Sequence, residues 1–307
     1  MKVDRTVTTR IDPERCTGCG LCIEVCPEET ISLRNKKAVI TGASSLNCGH
    51  CAAVCPTGAI SVAGIDPSLT SFSSFSLQEK WLPHGRPDTA DLVHLMLSRR
   101  SCRNFRSDAV ARDLLEDLVK IGVTAPSGSN CQPWTFTILP DRDSVDALGR
   151  RTAQFFRKLN RMAEKSWLRA ALRVMGKPEL EEYYQAYFES VQEGLVKYDT
   201  GKKDLLFHGA PAAIIVGASQ DASCPAEDAL LATQNILLGA HSLGLGTCLI
   251  GFVVAAMKAD KGIGRFLGLP RDEKAYAVIA VGYPAETYQR VAGRKKARIR
   301  FVRLPAA

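Results

Sequence analysis

The chain has 307 residues, 46% of them hydrophobic and 23% charged, which is ordinary for a globular protein with a sizeable core. Its length excludes a single module of ~60 residues and suits about two domains. The formal net charge is +8, yet residues 1–64 hold seven basic and six acidic side chains, so nearly all of the excess lies downstream.

The amino-terminal MKVDRTVTTRIDPER has no apolar run, so no secretory signal is expected. The stretch that follows, CTGCGLCIEVCP, sets Cys16, Cys19, Cys22 and Cys26 in the spacing C-x2-C-x2-C-x3-C-P, the run that wraps a [4Fe–4S] cluster and sends its fourth thiolate to a second one. A second motif, LNCGHCAAVCP, supplies Cys48, Cys51, Cys55 and Pro56. A shift of 29 residues lays Cys19, Cys22, Cys26, Pro27, Ile31 and Ser32 onto Cys48, Cys51, Cys55, Pro56, Ile60 and Ser61. The region is an internal repeat.

Crossed ligation then gives cluster one Cys16, Cys19, Cys22 and Cys55, and gives cluster two Cys48, Cys51 and Cys26. Cys16 maps onto Ser45, so cluster two lacks its fourth cysteine. A Ser45 alkoxide, a bound water, or loss of one iron to leave a three-iron cluster are all open; His50, between two ligand cysteines, ranks behind Ser45. A zinc site would pair C-x2-C units without the third cysteine and the trailing Cys-Pro. From about Thr6 to Ala63 the chain resembles bacterial dicluster ferredoxins. Cluster ligands of this kind, with no signal peptide, point to a cytoplasmic protein in a reducing cell.

Residues 65–87 read as a linker, with the Ser-rich SLTSFSSFS and three prolines. A second domain, 88–307, begins with a helix capped by Asp88 or Thr89, whose apolar face is Leu92, Leu95 and Met96. Ser107 or Asp108 is expected to cap VARDLLEDLVKIG, ending at Gly122. APSGSNCQPW is a loop and TFTIL a strand. Residues 150–203 are helical and rich in aromatics, which serve either the core or a substrate pocket. AAIIVGA reads as a strand, Pro225 to about Leu243 as a helix, CLIGFVV as a short apolar segment, and AYAVIAVGYP as the last strand. This order suggests an α+β domain with a covered sheet. Ala229 to Met257 carries no charge, but Gln234, Asn235, His241 and a Gly-Leu-Gly turn interrupt it, so no membrane span is expected. Cys102, Cys131, Cys224 and Cys248 have no ligand spacing and read as buried small residues.

RRSCRNF, APSGSNCQPWTF, LGLGTCLIGF and VGYPAETYQRVAGRKK resemble, in order and spacing, the FMN-dependent nitroreductase family, over roughly Leu92 to Phe301. The resemblance implies that Arg99, Arg100, Ser101 and Arg103 hold the FMN phosphate and ribityl chain. Arginine forks and a hydroxyl suit phosphate oxygens. It also implies that Asn130 contacts the flavin ring with Gln132, Pro133 and Trp134 fixing its loop, that Ile250 and Gly251 lie by the isoalloxazine, and that the late Arg294 meets the phosphate, with Arg290 or Lys296 as helpers. A homodimer with FMN in the interface is implied too.

Seven basic residues and no acid fall between Arg290 and Arg303. Without a helix-turn-helix, zinc finger or RNA motif they suggest a phosphorylated cofactor or an acidic electron carrier such as a ferredoxin or flavodoxin, and no nucleic acid.

The expected fold is therefore α+β, a dicluster ferredoxin-like domain followed by a nitroreductase-like FMN domain. The expected function is an iron–sulfur flavoprotein that passes electrons from two clusters through FMN to a nitroaromatic, quinone or activated alkene, since a flavin collects electrons singly and delivers them as hydride. No side chain stands out as a general acid. Two other readings compete: NAD(P)H reduces FMN and the clusters export electrons, or the chain is a redox sensor or electron-transfer subunit. Turnover with reduced ferredoxin against NAD(P)H separates the first two, and no turnover with either favours the third.

Overall fold

The 29-residue repeat folds as two matched units in the computed structural model, which describes residues 4–78, 80–201 and 203–304. The first unit is β1 (Thr9–Ile11), α1 (Leu21–Glu24) and β2 (Ile31–Arg34); the second is β3 (Lys37–Ile40), α2 (His50–Val54) and β4 (Ile60–Val62). β1 pairs with β4 and β2 with β3, both antiparallel. The registers interchange under the shift, Thr9↔Val62 becoming Ala38↔Leu33 and Ile11↔Ile60 becoming Ile40↔Ile31. The sequence repeat is thus an approximate two-fold axis, and each short helix starts after a left-handed glycine, Gly20 or Gly49, a conformation that costs glycine little. The core between the units is thin: Ile31, Ala38, Ala59 and Ile60 with Cys16 and Cys22. A module of this size calls for further staples.

The connector is tied down rather than free. Asp66 caps a 3-10 turn, Pro67–Thr70, and the backbone N–H groups of Ser73 and Ser74 then donate to the Asp117 carboxylate at 2.9 and 2.7 Å.

The second domain runs α3 (Thr89–Ser98), α4 (Arg112–Gly122), β5 (Trp134–Leu139), α5 (Arg142–Ala163), α6 (Ser166–Val174), α7 (Glu179–Ala186), α8 (Phe188–Asp199), β6 (Ala212–Ser219), α9 (Pro225–Ser242), β7 (Gly246–Leu249), α10 (Gly251–Ala259), α11 (Lys261–Phe266) and β8 (Glu273–Gly282). The sheet order is β5-β6-β8-β7, with every pairing antiparallel. Helices cover both faces, so β6 reads as an unbroken apolar run rather than an alternating one. Ala213, Ile215, Val278 and Ala280 meet Val145, Leu148 and Phe156 of α5 on one side. Ile214, Val216 and Ile279 meet Leu115, Leu118 and Ile236 of α4 and α9 on the other.

Two expectations need amendment. Neither Ser107 nor Asp108 caps α4: the helix starts after Ala111 with no side-chain cap, because Val110 is drawn into the core and Asp108 pairs with Arg106 at 3.0 Å. The apolar segment CLIGFVV is no single element, since β7 ends at Leu249 and α10 begins at Gly251. The helix expected from Asp88 or Thr89 is α3, capped by Asp88; Leu92 and Met96 of its apolar face stay exposed, as does Val93, so the chain itself does not cover that face. The uncharged stretch is divided among α9, β7 and α10, and no helix of the described residues is long and apolar enough to cross a membrane.

Candidate functional site

Two small cavities in the amino-terminal module sort the cysteines into two sets. One is lined by Cys16, Cys19, Cys22 and Cys55, the other by Cys26, Cys48, Cys51 and Ser45. Each cavity draws one cysteine from the opposite motif, which the two-fold arrangement of β1 to β4 requires. The thiols of each set stand around a small space, as a body of several irons with one thiolate each would need.

The two crossing cysteines have matching donors: Thr30 N–H points at Cys26 Sγ at 3.4 Å, and Ala59 N–H at Cys55 Sγ at 3.3 Å. Burial pushes both of these thiols up, but the hydrogen bonds around Thr30 and Thr57 outweigh it and leave each below its ordinary pKa. Burial dominates at Cys22 and Cys51 and raises both. Hydrogen bonds to cluster sulfurs tune reduction potential, so the crossing pair is where this module would set it. Ser45 is 8% exposed and its Oγ accepts from Asn47 N–H at 3.1 Å, which holds the hydroxyl in the wall of the second cavity. His50 also lines that cavity, but as an exposed residue at the start of α2.

In the second domain the predicted site residues fall into two groups. The first gathers at β7. Arg99 ends α3, Ser101 bridges to Thr247, and Cys102 N–H donates to the Thr247 carbonyl at 2.9 Å, so the segment 99–105 is pinned along the strand edge. Burial lowers the Arg99 pKa, and the charges of Arg294 and Arg100 lower it further. Arg99 and Arg103 both act on Cys248, whose thiol burial raises. Guanidinium groups crowded this way, with Arg294 donating among the described residues to the Ala292 and Gly293 carbonyls, could hold an anion such as a phosphate. His241, at the end of α9, is lowered by burial and then by Arg99; sequence reading had passed over it as an interruption in an apolar run. Arg100 and His241 also line an open cleft of about 370 Å³. Ile250 and Gly251 follow directly on β7, where Ile250 N–H is held by the Val278 carbonyl at 2.8 Å and a Cβ on Gly251 would meet nothing within 4 Å. That open backbone admits the close approach of a flat ring.

The second group is the loop of Asn130 and Gln132, and the structure does not bring it to the first. Its anchors lie at the start of α9: Gly128 N–H donates to Asp228 Oδ1 and Trp134 Nε1 to the Asp228 carbonyl, each at 2.9 Å. The Arg99 group lies beside His241 at the other end of the same helix. Thirteen residues of helix at 1.5 Å each separate Asp228 from His241 by ~20 Å. Ser129, Asn130 and Gln132 all have positive φ, 52°, 55° and 46°, a region that residues other than glycine occupy sparsely. The Asn130 carboxamide donates to the Leu46 and Asn47 carbonyls at 3.1 and 3.3 Å and accepts from Gln132 Nε2 at 3.1 Å. Both carbonyls belong to the loop between Ser45 and Cys48. The sequence offered no signal for this bridge between the modules.

A model of the nitroreductase family matches residues 96–283, and a model of the 4Fe-4S binding domain matches residues 9–32. An NADH dehydrogenase of Thermus thermophilus is 28% identical over 190 residues, 62% of this chain and 85% of its own. A 4-nitrobenzoate reductase of a Nocardioides species is 27% identical over 213 residues, 62% of this chain and 78% of its own. Among solved structures, a nitroreductase with bound FMN from Desulfitobacterium hafniense aligns over 69% of this chain and 97% of its own at 20% identity, with a TM-score of 0.51, a likeness of fold.

Proposed function

The chain belongs to the nitroreductase family, and from that premise we propose that it is an iron–sulfur flavoprotein oxidoreductase in which two clusters supply electrons for the FMN-dependent reduction of a small acceptor. Arg99, Arg100, Ser101, Arg103 and Arg294 hold the phosphate and ribityl chain, and the backbone at Ile250 and Gly251 lies against the ring. Cys16, Cys19, Cys22 and Cys55 ligate one cluster; Cys26, Cys48 and Cys51, with Ser45 at the weak corner, ligate the other. The flavin supplies conversion between one-electron and two-electron chemistry. The chain's own residues position, desolvate and connect.

The observation that carries this reading is the Asn130 bridge. One carboxamide holds the loop beside the second cysteine cavity against the loop assigned to the flavin. Such an arrangement fixes the two places beside each other, as electron passage between them would need.

The ~20 Å between the Arg99 and Asn130 groups supports a homodimer in which each FMN takes its phosphate site from one protomer and its Asn130 loop from the other. The uncovered apolar face of α3, with Leu92, Val93 and Met96, supplies surface for that contact. The exposed basic tail from Arg290 to Arg303 suits an acidic electron carrier such as a ferredoxin or flavodoxin. The NADH dehydrogenase among the relatives favours a second reading, in which NAD(P)H reduces FMN and the clusters export the electrons. Anaerobic protein should hold about one FMN and about seven to eight irons per chain and run as a dimer. A monomer that saturates with FMN would contradict the shared site, and iron for one cluster only would contradict the paired cavities.

A further inference from the structure

The two cysteine cavities are related by the approximate two-fold axis but differ in their surroundings. The second is lined by Leu46 and Asn47 as well as by its thiols, and it is these two residues whose carbonyls Asn130 ties to the second domain. Its three cysteines, Cys26, Cys48 and Cys51, are all half-buried. The first cavity instead carries an exposed thiol, Cys19. One cavity thus faces the loop assigned to the flavin, and the other opens to solvent.

Cations gather at the open one. Arg34, Lys36 and Lys37 sit on the β2–β3 hairpin, with Arg34 opposite Lys37 in register. The turn of that hairpin presses on the loop between Cys16 and Cys19, where a Cβ on Gly18 would collide with the Lys36 carbonyl. Lys37 Nζ donates to the Cys16 carbonyl. From the Cys55 side, Arg15 Nη2 donates to the Thr57 carbonyl at 2.7 Å. These contacts fix the cations to the segments that carry the thiols of the first cavity, and Arg15, Arg34 and Lys36 remain exposed. No acid falls between Glu29 and Asp66. Asp12 and Glu14, which flank Arg15 in the chain, leave the rim with a positive balance. At the second cavity the charges are matched, since Glu28 lines it and pairs with Arg5 at 2.7 Å.

We propose that the rim of Arg15, Arg34, Lys36 and Lys37 is the docking port for an acidic one-electron carrier protein, so that electrons enter the module at the first cavity and leave it at the second. The inference rests on reading Cys16, Cys19, Cys22 and Cys55 as the ligands of one cluster, in a module that supplies electrons to FMN. At each docking the carrier loses one electron and the module gains it. No bond forms or breaks, and two dockings supply the pair that one acceptor consumes. Opposite surface charges speed such encounters and set their orientation, and the edge at Cys19 is what an oriented carrier meets. The basic tail from Arg290 to Arg303 belongs to the second domain; its charges add to the long-range attraction, while the contact itself is made at the hairpin.

The probe is an oxidised, acidic plant-type [2Fe–2S] ferredoxin, so that binding is read without turnover. Isothermal titration on holoprotein of recorded iron and FMN content should give a Kd that rises with salt. Arg34→Glu combined with Lys36→Glu should raise that Kd at least about tenfold at low salt. Arg86→Glu alters charge on an exposed part of the connector and should leave Kd within about twofold. A carbodiimide, which joins a carrier carboxylate to a lysine amine as an amide, should give wild-type cross-links that mass spectrometry maps to Lys36 or Lys37. No binding to protein of full iron content, a Kd unchanged in the hairpin variant, or cross-links at Lys295 and Lys296 in place of the hairpin overturns the port alone. Iron for one cluster only would overturn the ligand reading and the port with it. Transfer from the clusters to the flavin is judged apart from both, with a small one-electron reductant and no carrier.

Discussion

Replacing Asp117 with Ala removes a fully buried carboxylate that accepts from Ser73 N–H at 2.9 Å, Ser74 N–H at 2.7 Å and Ser74 Oγ at 2.6 Å. A hydrogen bond to a charged group contributes about 1.5–3 kcal/mol. The three do not add, because the freed donors sit on a connector that can turn to water. A loss of ~3 kcal/mol follows, or roughly a hundred-fold in the balance between docked and undocked connector. Hydrogen–deuterium exchange at pH 7 over the segment containing Ser73 and Ser74 reads this directly. Exchange there should rise about a hundred-fold in Asp117→Ala, and by less in Asp117→Asn, while β6 and α9 stay protected.

The clamp also has a pH dependence. Burial raises the Asp117 pKa, but the Ser74 and Ser73 donors and Lys120 more than offset it and hold the group below its ordinary value of 3.8. A folded pKa below the unfolded one stabilises the docked form fully above about pH 4 and less as pH falls through the folded value. Exchange at Ser73 and Ser74 that is the same in wild type and Asp117→Ala would refute the reasoning, since nothing would then hold the connector at Asp117.

Ser45→Cys should yield two ordinary four-iron clusters and suppress a three-iron EPR signal that air or ferricyanide raises in the wild type, because a hydroxyl holds iron less firmly than a thiolate in a sulfide environment; identical spectra before and after the change would remove Ser45 from the weak corner. Cys55→Ala should damage the cluster of the first motif and Cys26→Ala that of the second, as read by EPR; damage confined to the home motif would contradict the crossed cavities. Arg99→Ala should weaken FMN binding by roughly ten- to a hundred-fold, from the loss of a charge-assisted contact of about 1.5–3 kcal/mol. Iron content should not change, and an unaltered affinity in fluorescence titration would take Arg99 out of the site.

Periodic and repeated features were legible in the sequence. The cysteine repeat announced a symmetric module because ligand spacing is a local property of the chain, and the strands at Trp134, Ala212 and Glu273 were visible as apolar runs. What escaped was decided across the fold. Asp117 reads as one more charge on an amphipathic helix, and SLTSFSSFS as a loose linker; only tertiary structure pairs them. α10 was hidden because β7, Ile250 and Gly251 form one apolar stretch with no polar punctuation to divide strand from helix. Asn130 was read for its likeness to a flavin contact, whereas its carboxamide turns to the carbonyls of Leu46 and Asn47, over 80 residues away in the chain. α3 was legible as a helix with an apolar face, but a pattern of apolar residues does not say whether its own chain or a partner covers it.

The most direct test of the account is anaerobic stopped-flow absorbance on FMN-loaded protein mixed with a limiting one-electron reductant, following cluster and flavin bands separately. If the modules are wired through the Asn130 junction, the cluster bands bleach first and recover as the flavin band falls. Losing two neutral hydrogen bonds of about 1 kcal/mol each in Asn130→Ala should slow that exchange about tenfold or more, with flavin and iron contents unchanged. Clusters that stay reduced beside an oxidised flavin, or an exchange equally fast in Asn130→Ala, would contradict it.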